Sequence, residues 1–189
     1  FNVPTFCYRP DLTKDFGACR MCVVEIDGRM IQASCTTPPA EGMVVKTNTP
    51  DLMDSRRLIL DLILSNHDRK CLTCTRNGNC ELQNLAHKFN MMDLDYDGER
   101  IEKPIDDFSP SIVRDPNKCI LCGRCVAACK NVQKISAIDK ANRGFNSAIS
   151  TAGDKSLNDV NCTFCGQCIQ ACPVGALKEK DSTKEVWRN

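Results

Sequence analysis

Apolar positions in this chain come in short pieces separated by polar and turn-forming residues, and the pieces change period along the sequence. The first strand signal is Val23-Val24-Glu25-Ile26, which runs into Asp27-Gly28, a pair suited to a tight hairpin turn, with Arg29 to Cys35 running back. A helix is predicted next. Thr49 can cap it, Pro50 suits its first turn, and Leu52, Leu58, Ile59, Leu62 and Ile63 supply an apolar face up to Ser65-Asn66. A second helix follows Cys80, with Leu82, Leu85, Ala86 and Phe89 at i, i+3, i+4 and i+7. The longest apolar patch, Leu58 to Leu64, is interrupted by Asp61 and falls far short of the ~18 residues of a membrane span. Pro104, Pro110 and Pro116 mark a linker ahead of the last third of the chain.

Composition changes this picture in one respect. Of the 189 residues 42% are hydrophobic, but 15 are cysteines, so the conventional core-forming fraction is only about 34%. Something other than burial must hold so thin a core. A disulfide scaffold is disfavoured by the odd count, the length, and the clustering at two- and three-residue gaps, where a local disulfide pins almost nothing. Ligated thiolates in a reducing compartment, the cytoplasm, are the alternative. Lys+Arg 25 against Asp+Glu 24 leaves a formal +1, which argues against a nucleic-acid partner.

The cysteines fall into four packets. Cys7, Cys19, Cys22 and Cys35 read C-x11-C-x2-C-x12-C, in a region of strands and loops that can enclose a flat two-iron cluster. This packet keeps the central C-x2-C of plant-type ferredoxins but stretches the first gap. His67, Cys71, Cys74 and Cys80, spaced H-x3-C-x2-C-x5-C, lie in a loop bracketed by the two helices; a structural zinc on three thiolates and one imidazole is the alternative reading there. Cys119, Cys122, Cys125 and Cys129 read C-x2-C-x2-C-x3-C. Cys162, Cys165, Cys168 and Cys172 repeat it and add Pro173. This run is the bacterial ferredoxin signature, in which three cysteines hold one cubane and the fourth crosses to the other. The crossing rule predicts one 4Fe-4S cluster on Cys119, Cys122, Cys125 and Cys172, and another on Cys162, Cys165, Cys168 and Cys129. The first run has Lys130 where the signature has Pro, which leaves the ligands untouched.

Fifteen cysteines and His67 make sixteen ligands, enough for one 2Fe-2S and three 4Fe-4S clusters with none left over. Loading them would shift the formal charge to roughly −6 in the oxidised form. A neutral imidazole in place of a thiolate should raise the potential of the His67 cluster. Lys118, Arg124 and Lys130 flank the first ferredoxin run, whereas the second has no such cations, so the Cys119 cluster is expected to be the easier of the pair to reduce. Asp93, Asp95, Asp97 and Gly98 open like a calcium loop, but Pro104 stands where the bidentate Glu would be needed, so a solvated linker is expected. His87 reads as a surface or packed histidine, and no C-x2-C opens a helix in a βαβ pattern. Neither a phosphate loop nor a nucleophile with a base is evident, so no catalytic residue is assigned.

This order of packets resembles the N-terminal accessory region of FeFe-hydrogenase catalytic subunits, including the electron-bifurcating, NAD-linked type. It is also similar to the N-terminal module of the complex I large iron-sulfur subunit and of NAD-dependent formate dehydrogenases. Gly17-Ala18-Cys19-Arg20-Met21-Cys22, Asn77-Gly78-Asn79-Cys80-Glu81-Leu82-Gln83, Asp159-Val160-Asn161-Cys162 and Cys165-Gly166-Gln167-Cys168 look most like the hydrogenase branch. The resemblance implies an α+β chain of three units: a partial β-grasp 2Fe-2S domain over 1–48, a small helical 4Fe-4S domain with its one histidine and three cysteine ligands over 49–104, and a ferredoxin-like domain with two 4Fe-4S clusters over 105–189. The family's hairpin and helix before the first cysteine are lacking, and a hydrogen-activating domain is expected beyond Asn189. The implied role is an oxidoreductase's electron relay, working with flavin- or NAD(P)-linked subunits or soluble ferredoxin in a multi-subunit complex. The alternatives are the wire of a formate dehydrogenase or complex I-type subunit, and a stand-alone polyferredoxin.

Overall fold

The computed structural model describes residues 3–12, 17–28, 30–96 and 98–188. Asp97 and Asn189 therefore lie outside the described residues, as do Arg29 at the hairpin turn and the 13–16 stretch. Strands β1 (Val23–Ile26) and β2 (Met30–Ala33) pair antiparallel in the register Val23 to Ala33 through Ile26 to Met30. The turn between them has Asp27 and Gly28 at φ 52° and 66°, the left-handed conformation that this dipeptide tolerates. A short β3 (Val45–Lys46), which the alternation did not reveal, adds to the free edge of β1.

Helix α1 (Pro50–Ser65) has the expected bounds. The Thr49 side chain accepts the Leu52 N–H at 3.4 Å, and Pro50 occupies the first turn, where its missing N–H costs nothing. Its buried stripe differs from the expected one. Leu52, Arg56, Leu60 and Leu64 face inward, whereas Leu58 and Leu62 are 46% and 52% exposed. The reason is physical: a buried arginine and the buried Asp61 share the inner surface, so a count of apolar side chains alone misplaces its centre. Helix α2 (Glu81–Lys88) buries Leu82 and delivers Phe89, at its C-cap, into the core, with Leu85 and Ala86 packed beside them. His87 is exposed.

The last third is built around two short paired-strand elements. Strand β4 (Ile112–Arg114) pairs with β7 (Leu177–Glu179), and β5 (Asp139–Ala141) pairs with β6 (Ala148–Ser150). Between them lie α3 (Arg124–Ala127), which runs into a widened turn over Ala128–Val132, and α4 (Gln167–Ala171). A short α5 (Thr183–Val186) follows. The two ferredoxin runs fold alike. Leu121 and Phe164 share a left-handed backbone, at φ 55° and 52°, and Gly123 and Gly166 precede α3 and α4 at 77° and 75°. A Cβ is disfavoured at that φ, which explains glycine after the second cysteine of each run.

The linker is tied down rather than free: Ile101 N–H donates to Asn66 Oδ1, and Asn117 clasps Lys103 through both main-chain groups. Asp95 N–H donates to Asp61 Oδ2, which docks the acidic segment on α1. One contiguous core runs from Phe6 to Leu177 and draws on all three parts of the chain. Among the described residues no helix is long and apolar enough to cross a membrane.

Candidate iron-sulfur centres

None of the fifteen cysteines is in a disulfide. In the first packet Cys22 Sγ lies 3.3 Å from Cys35 Sγ, while Cys19 hydrogen-bonds Cys7 and receives the Phe6 N–H at 3.3 Å. The Cys7 bond and these amide donors hold Cys19 down at about 5, well below an ordinary thiol, while the same thiol-thiol bond pushes Cys7 up. Cys35 is also raised, by burial first and then by Cys22. Two close pairs on adjoining loops and turns form the packet, and the members of each pair are coupled in their protonation.

In the second packet Cys71 opens a tight helical turn (Cys71–Thr73), Cys74 ends it, and Cys80 stands at the start of α2. Burial raises the Cys80 thiol, against amide donation from Gln83 and Leu82, and the charges of Cys74 and Cys71 add to the rise. The loop is pinned by Gln83, whose side chain accepts from Gly78 N–H and donates to Asn77 Oδ1, both at 2.9 Å. His67 is buried, and its Nδ1 has no hydrogen-bond partner among the described residues. Burial lowers it to about 4, so the ring is neutral at pH 7, the state in which imidazole binds metal.

The ferredoxin runs enclose two hollows. One, about 480 Å³ with its mouth included, is lined by Cys119, Cys122, Cys125 and Cys172 together with Ile120 and Val174. The other, about 370 Å³, is lined by Cys129, Cys162, Cys165 and Cys168 with Ile135 and Leu157. Cys172 thus lines the hollow of Cys119, Cys122 and Cys125, and Cys129 lines that of Cys162, Cys165 and Cys168. Each run also turns an amide onto its first sulfur: Leu121 N–H to Cys119 Sγ and Phe164 N–H to Cys162 Sγ, both at 3.4 Å. Ala137 N–H reaches Cys129 Sγ at 3.3 Å. Burial pushes Cys119 up to about 11, Cys122 to about 12 and Cys168 to about 12. Such thiols stay protonated at pH 7 unless a cation takes the proton's place, so the cysteines of each hollow could hold a cationic metal-sulfide core. The hollows differ in depth: Cys122, Cys125 and Cys172 are buried, but Cys165 is exposed.

Two of the three cations that flank the first run have carboxylate partners. Lys118 Nζ pairs with Asp115 at 3.1 Å, Arg124 grips Glu81 with two bonds of 2.6 and 2.9 Å, and Lys130 is exposed. The same contacts reveal residues that spacing did not mark. Arg76 donates to the Cys172 carbonyl at 2.6 Å, and Glu81 N–H donates to Pro173 O at 3.0 Å. With Arg124-Glu81 they lock the second packet against the ferredoxin-like part. A Cβ on Gly175 would stand 2.6 Å from Cys74 Sγ, so glycine there permits the approach. Asn131 Nδ2 donates to Leu12 O at 3.0 Å and ties in the first packet.

Residues 1–50 match the 2Fe-2S iron-sulfur cluster binding domain, 56–94 the NADH-ubiquinone oxidoreductase-G iron-sulfur binding region, and 109–178 the ferredoxin-like domain of NADH-quinone oxidoreductase subunit 3. The chain is 42% identical over 190 residues to the NADP-reducing hydrogenase subunit HndD of Solidesulfovibrio fructosivorans, covering 98% of this chain and 32% of that protein. It is 40% identical to an NADH-quinone oxidoreductase subunit of Rhizobium meliloti, over 93% of this chain and 20% of that one. A chain in the crystal structure of an NAD+-reducing [NiFe]-hydrogenase in the H2-reduced state superposes with a TM-score of 0.88 at 34% identity, over 96% of this chain and 76% of that chain.

Fold and matches together define an iron-sulfur electron-relay segment of mixed helix and strand, with 2Fe-2S and 4Fe-4S binding domains. The chain belongs to the family of iron-sulfur modules shared by NAD(P)-linked hydrogenases, the large iron-sulfur subunit of complex I and formate dehydrogenase-type proteins. It spans about a third of the length of the hydrogenase relative and about a fifth of that of the complex I relative.

Proposed function

We propose that this chain carries one 2Fe-2S cluster on Cys7, Cys19, Cys22 and Cys35, and three 4Fe-4S clusters. The latter take His67, Cys71, Cys74 and Cys80; Cys119, Cys122, Cys125 and Cys172; and Cys129, Cys162, Cys165 and Cys168. The three units are a partial β-grasp domain over 1–48, a small helical domain over 49–104 and a bacterial-type ferredoxin domain over 105–189. The supporting observation is the exchange of Cys172 and Cys129 between two apolar hollows, which makes each a four-thiol site. Bound clusters would supply one-electron redox chemistry; the chain's own residues exclude water, direct amides at the sulfurs and fix the spacing between centres.

As a whole, the protein is a cytoplasmic FeFe-hydrogenase catalytic subunit in a multi-subunit complex. This segment passes electrons between flavin- or NAD(P)-linked subunits, or soluble ferredoxin, and a hydrogen-activating centre further along the chain. The 42% identity to an NADP-reducing hydrogenase subunit over 98% of the segment supports this reading. A second reading is a separate electron-carrying subunit of a hydrogenase, favoured by a match that fills 76% of the solved chain. The test is the denatured mass of the chain in the anaerobically purified complex, with hydrogen-dependent and formate-dependent dye reduction measured alongside. A chain far above 21.0 kDa with hydrogen-dependent reduction is expected. A mass near 21.0 kDa moves the function to the carrier subunit, and formate-dependent reduction moves it to the formate dehydrogenase branch.

A further inference from the structure

Among the described residues most buried cations are matched. Arg114 faces Asp106 at 3.5 Å and Arg124 grips Glu81. Arg56, 3% exposed on the inner face of α1, is the exception. Its Nη2 donates to Val23 O at 2.6 Å and its Nη1 to Thr47 O at 2.9 Å. Its Nε has no partner, and among the described residues no carboxylate lies within ion-pair distance of it. Glu25, on the strand that Arg56 holds, is engaged by Lys46 at 3.0 Å. A guanidinium cannot shed its proton to escape burial, and two neutral carbonyls do not neutralise it. A buried charge without a counter-charge is strongly destabilising, so the fold must supply a negative group nearby. The carbonyl gripped most tightly belongs to Val23, the residue directly after Cys22. Burial works against the charged guanidinium, and the Cys22 sulfur works in its favour.

Resting on the assignment of Cys7, Cys19, Cys22 and Cys35 to a two-iron cluster, we propose that Arg56 is the buried counter-charge of that centre. Four thiolates around a two-iron core make a formal dianion, and one-electron reduction makes it a trianion. The guanidinium is attracted more strongly to the reduced form, so it raises the midpoint potential of the first centre and makes it the better electron acceptor. Through Val23 O it also anchors α1 to the strand leaving the cluster. Arg56 acts through Cys22 and the field at the centre, as a positioning and tuning residue.

The test is an EPR-monitored redox titration of the anaerobically purified full-length protein, with dithionite as reductant, for wild type, Arg56→Gln and Arg56→Lys. At the wild-type midpoint the reduced-to-oxidised ratio of the two-iron signal is expected to fall about tenfold in Arg56→Gln, about 59 mV. Arg56→Lys, which keeps the charge, is expected to stay near wild type, and the other signals should not move. Thr47→Glu serves if Arg56→Gln does not retain its cluster: it leaves Arg56 in place, gives it a carboxylate, and should lower the same midpoint where Thr47→Gln does not. An unmoved midpoint in Arg56→Gln and Thr47→Glu, or equal shifts in the Gln and Lys variants, overturns the inference while the two-iron assignment stands. No two-iron signal in wild type overturns the assignment and the inference with it.

Discussion

Gly175 offers a perturbation whose size is set by geometry. Its φ lies outside the left-handed region, so Gly175→Ala adds a methyl group with no backbone penalty. The new carbon would lie 2.6 Å from Cys74 Sγ, against about 3.5–4.0 Å for an ordinary non-bonded contact, an overlap of roughly 1 Å. The other neighbours, Arg76 Cγ at 3.6 Å and Lys118 Cδ at 3.7 Å, are at normal distance, so the strain falls on the sulfur. Overpacking of this kind costs about 1–3 kcal/mol. A thiolate bound to metal at roughly 2.3 Å has no freedom to retreat that far. The second centre should therefore be lost or distorted while the other three persist, lowering the iron content by about four per chain. Iron and sulfide analysis with low-temperature EPR of the purified protein reads both effects. A Gly175→Ala protein with full iron content and an unaltered second-centre spectrum would refute the claim that this glycine exists to admit Cys74.

The remaining predictions address charge and burial. His67→Cys replaces a neutral ligand by an anionic one and should lower the midpoint of the second centre; an unchanged midpoint would remove His67 from the ligand set. Of the two ferredoxin-type centres, the one at Cys129, Cys162, Cys165 and Cys168 should have the higher potential. Added negative charge is better tolerated near the exposed Cys165 than around the buried Cys122, Cys125 and Cys172, and spectroscopically resolved titrations in the reverse order would count against this. Asp106 accepts from Leu157 N–H at 3.0 Å and Ser156 Oγ at 2.7 Å and faces Arg114; burial pushes its carboxyl up, but these partners together hold it below the usual range. Its contribution is therefore complete above about pH 4 and lost as pH falls through the lower folded value. Asp106→Asn should cost about 1–3 kcal/mol at pH 7 in thermal unfolding of the loaded protein, and a wild-type Tm would refute that.

The sequence carried local structure where one residue type determines it. Thr49-Pro50 set the start of α1 and Asp27-Gly28 set the hairpin, because capping and left-handed turns depend on neighbouring residues alone. The ligand packets are proposed from sequence for the same reason: a C-x2-C loop is a short-range constraint. Contacts between packets were not. Arg124 and Glu81 are 43 positions apart, and Arg76 and Cys172 are 96 apart, so no periodicity relates them. The inner face of α1 escapes patterning because Arg56 and Asp61 are buried, and hydrophobic patterning assigns charged residues to water. Cations flanking the first ferredoxin run were visible, but their neutralisation by Asp115 and Glu81 arises only when the chain is folded.

The central claim, four iron-sulfur centres on sixteen ligands, is tested most directly by Mössbauer spectroscopy of the iron-57-enriched, anaerobically purified protein, with metal and sulfide analysis of the same sample. The account predicts one two-iron and three four-iron components attributable to this segment, each cubane lost as a unit when one of its own cysteines is changed, and Cys172→Ser removing the Cys119 cluster rather than the Cys162 cluster. Stoichiometric zinc in the His67 packet, or loss of the Cys162 cluster in Cys172→Ser, would contradict it.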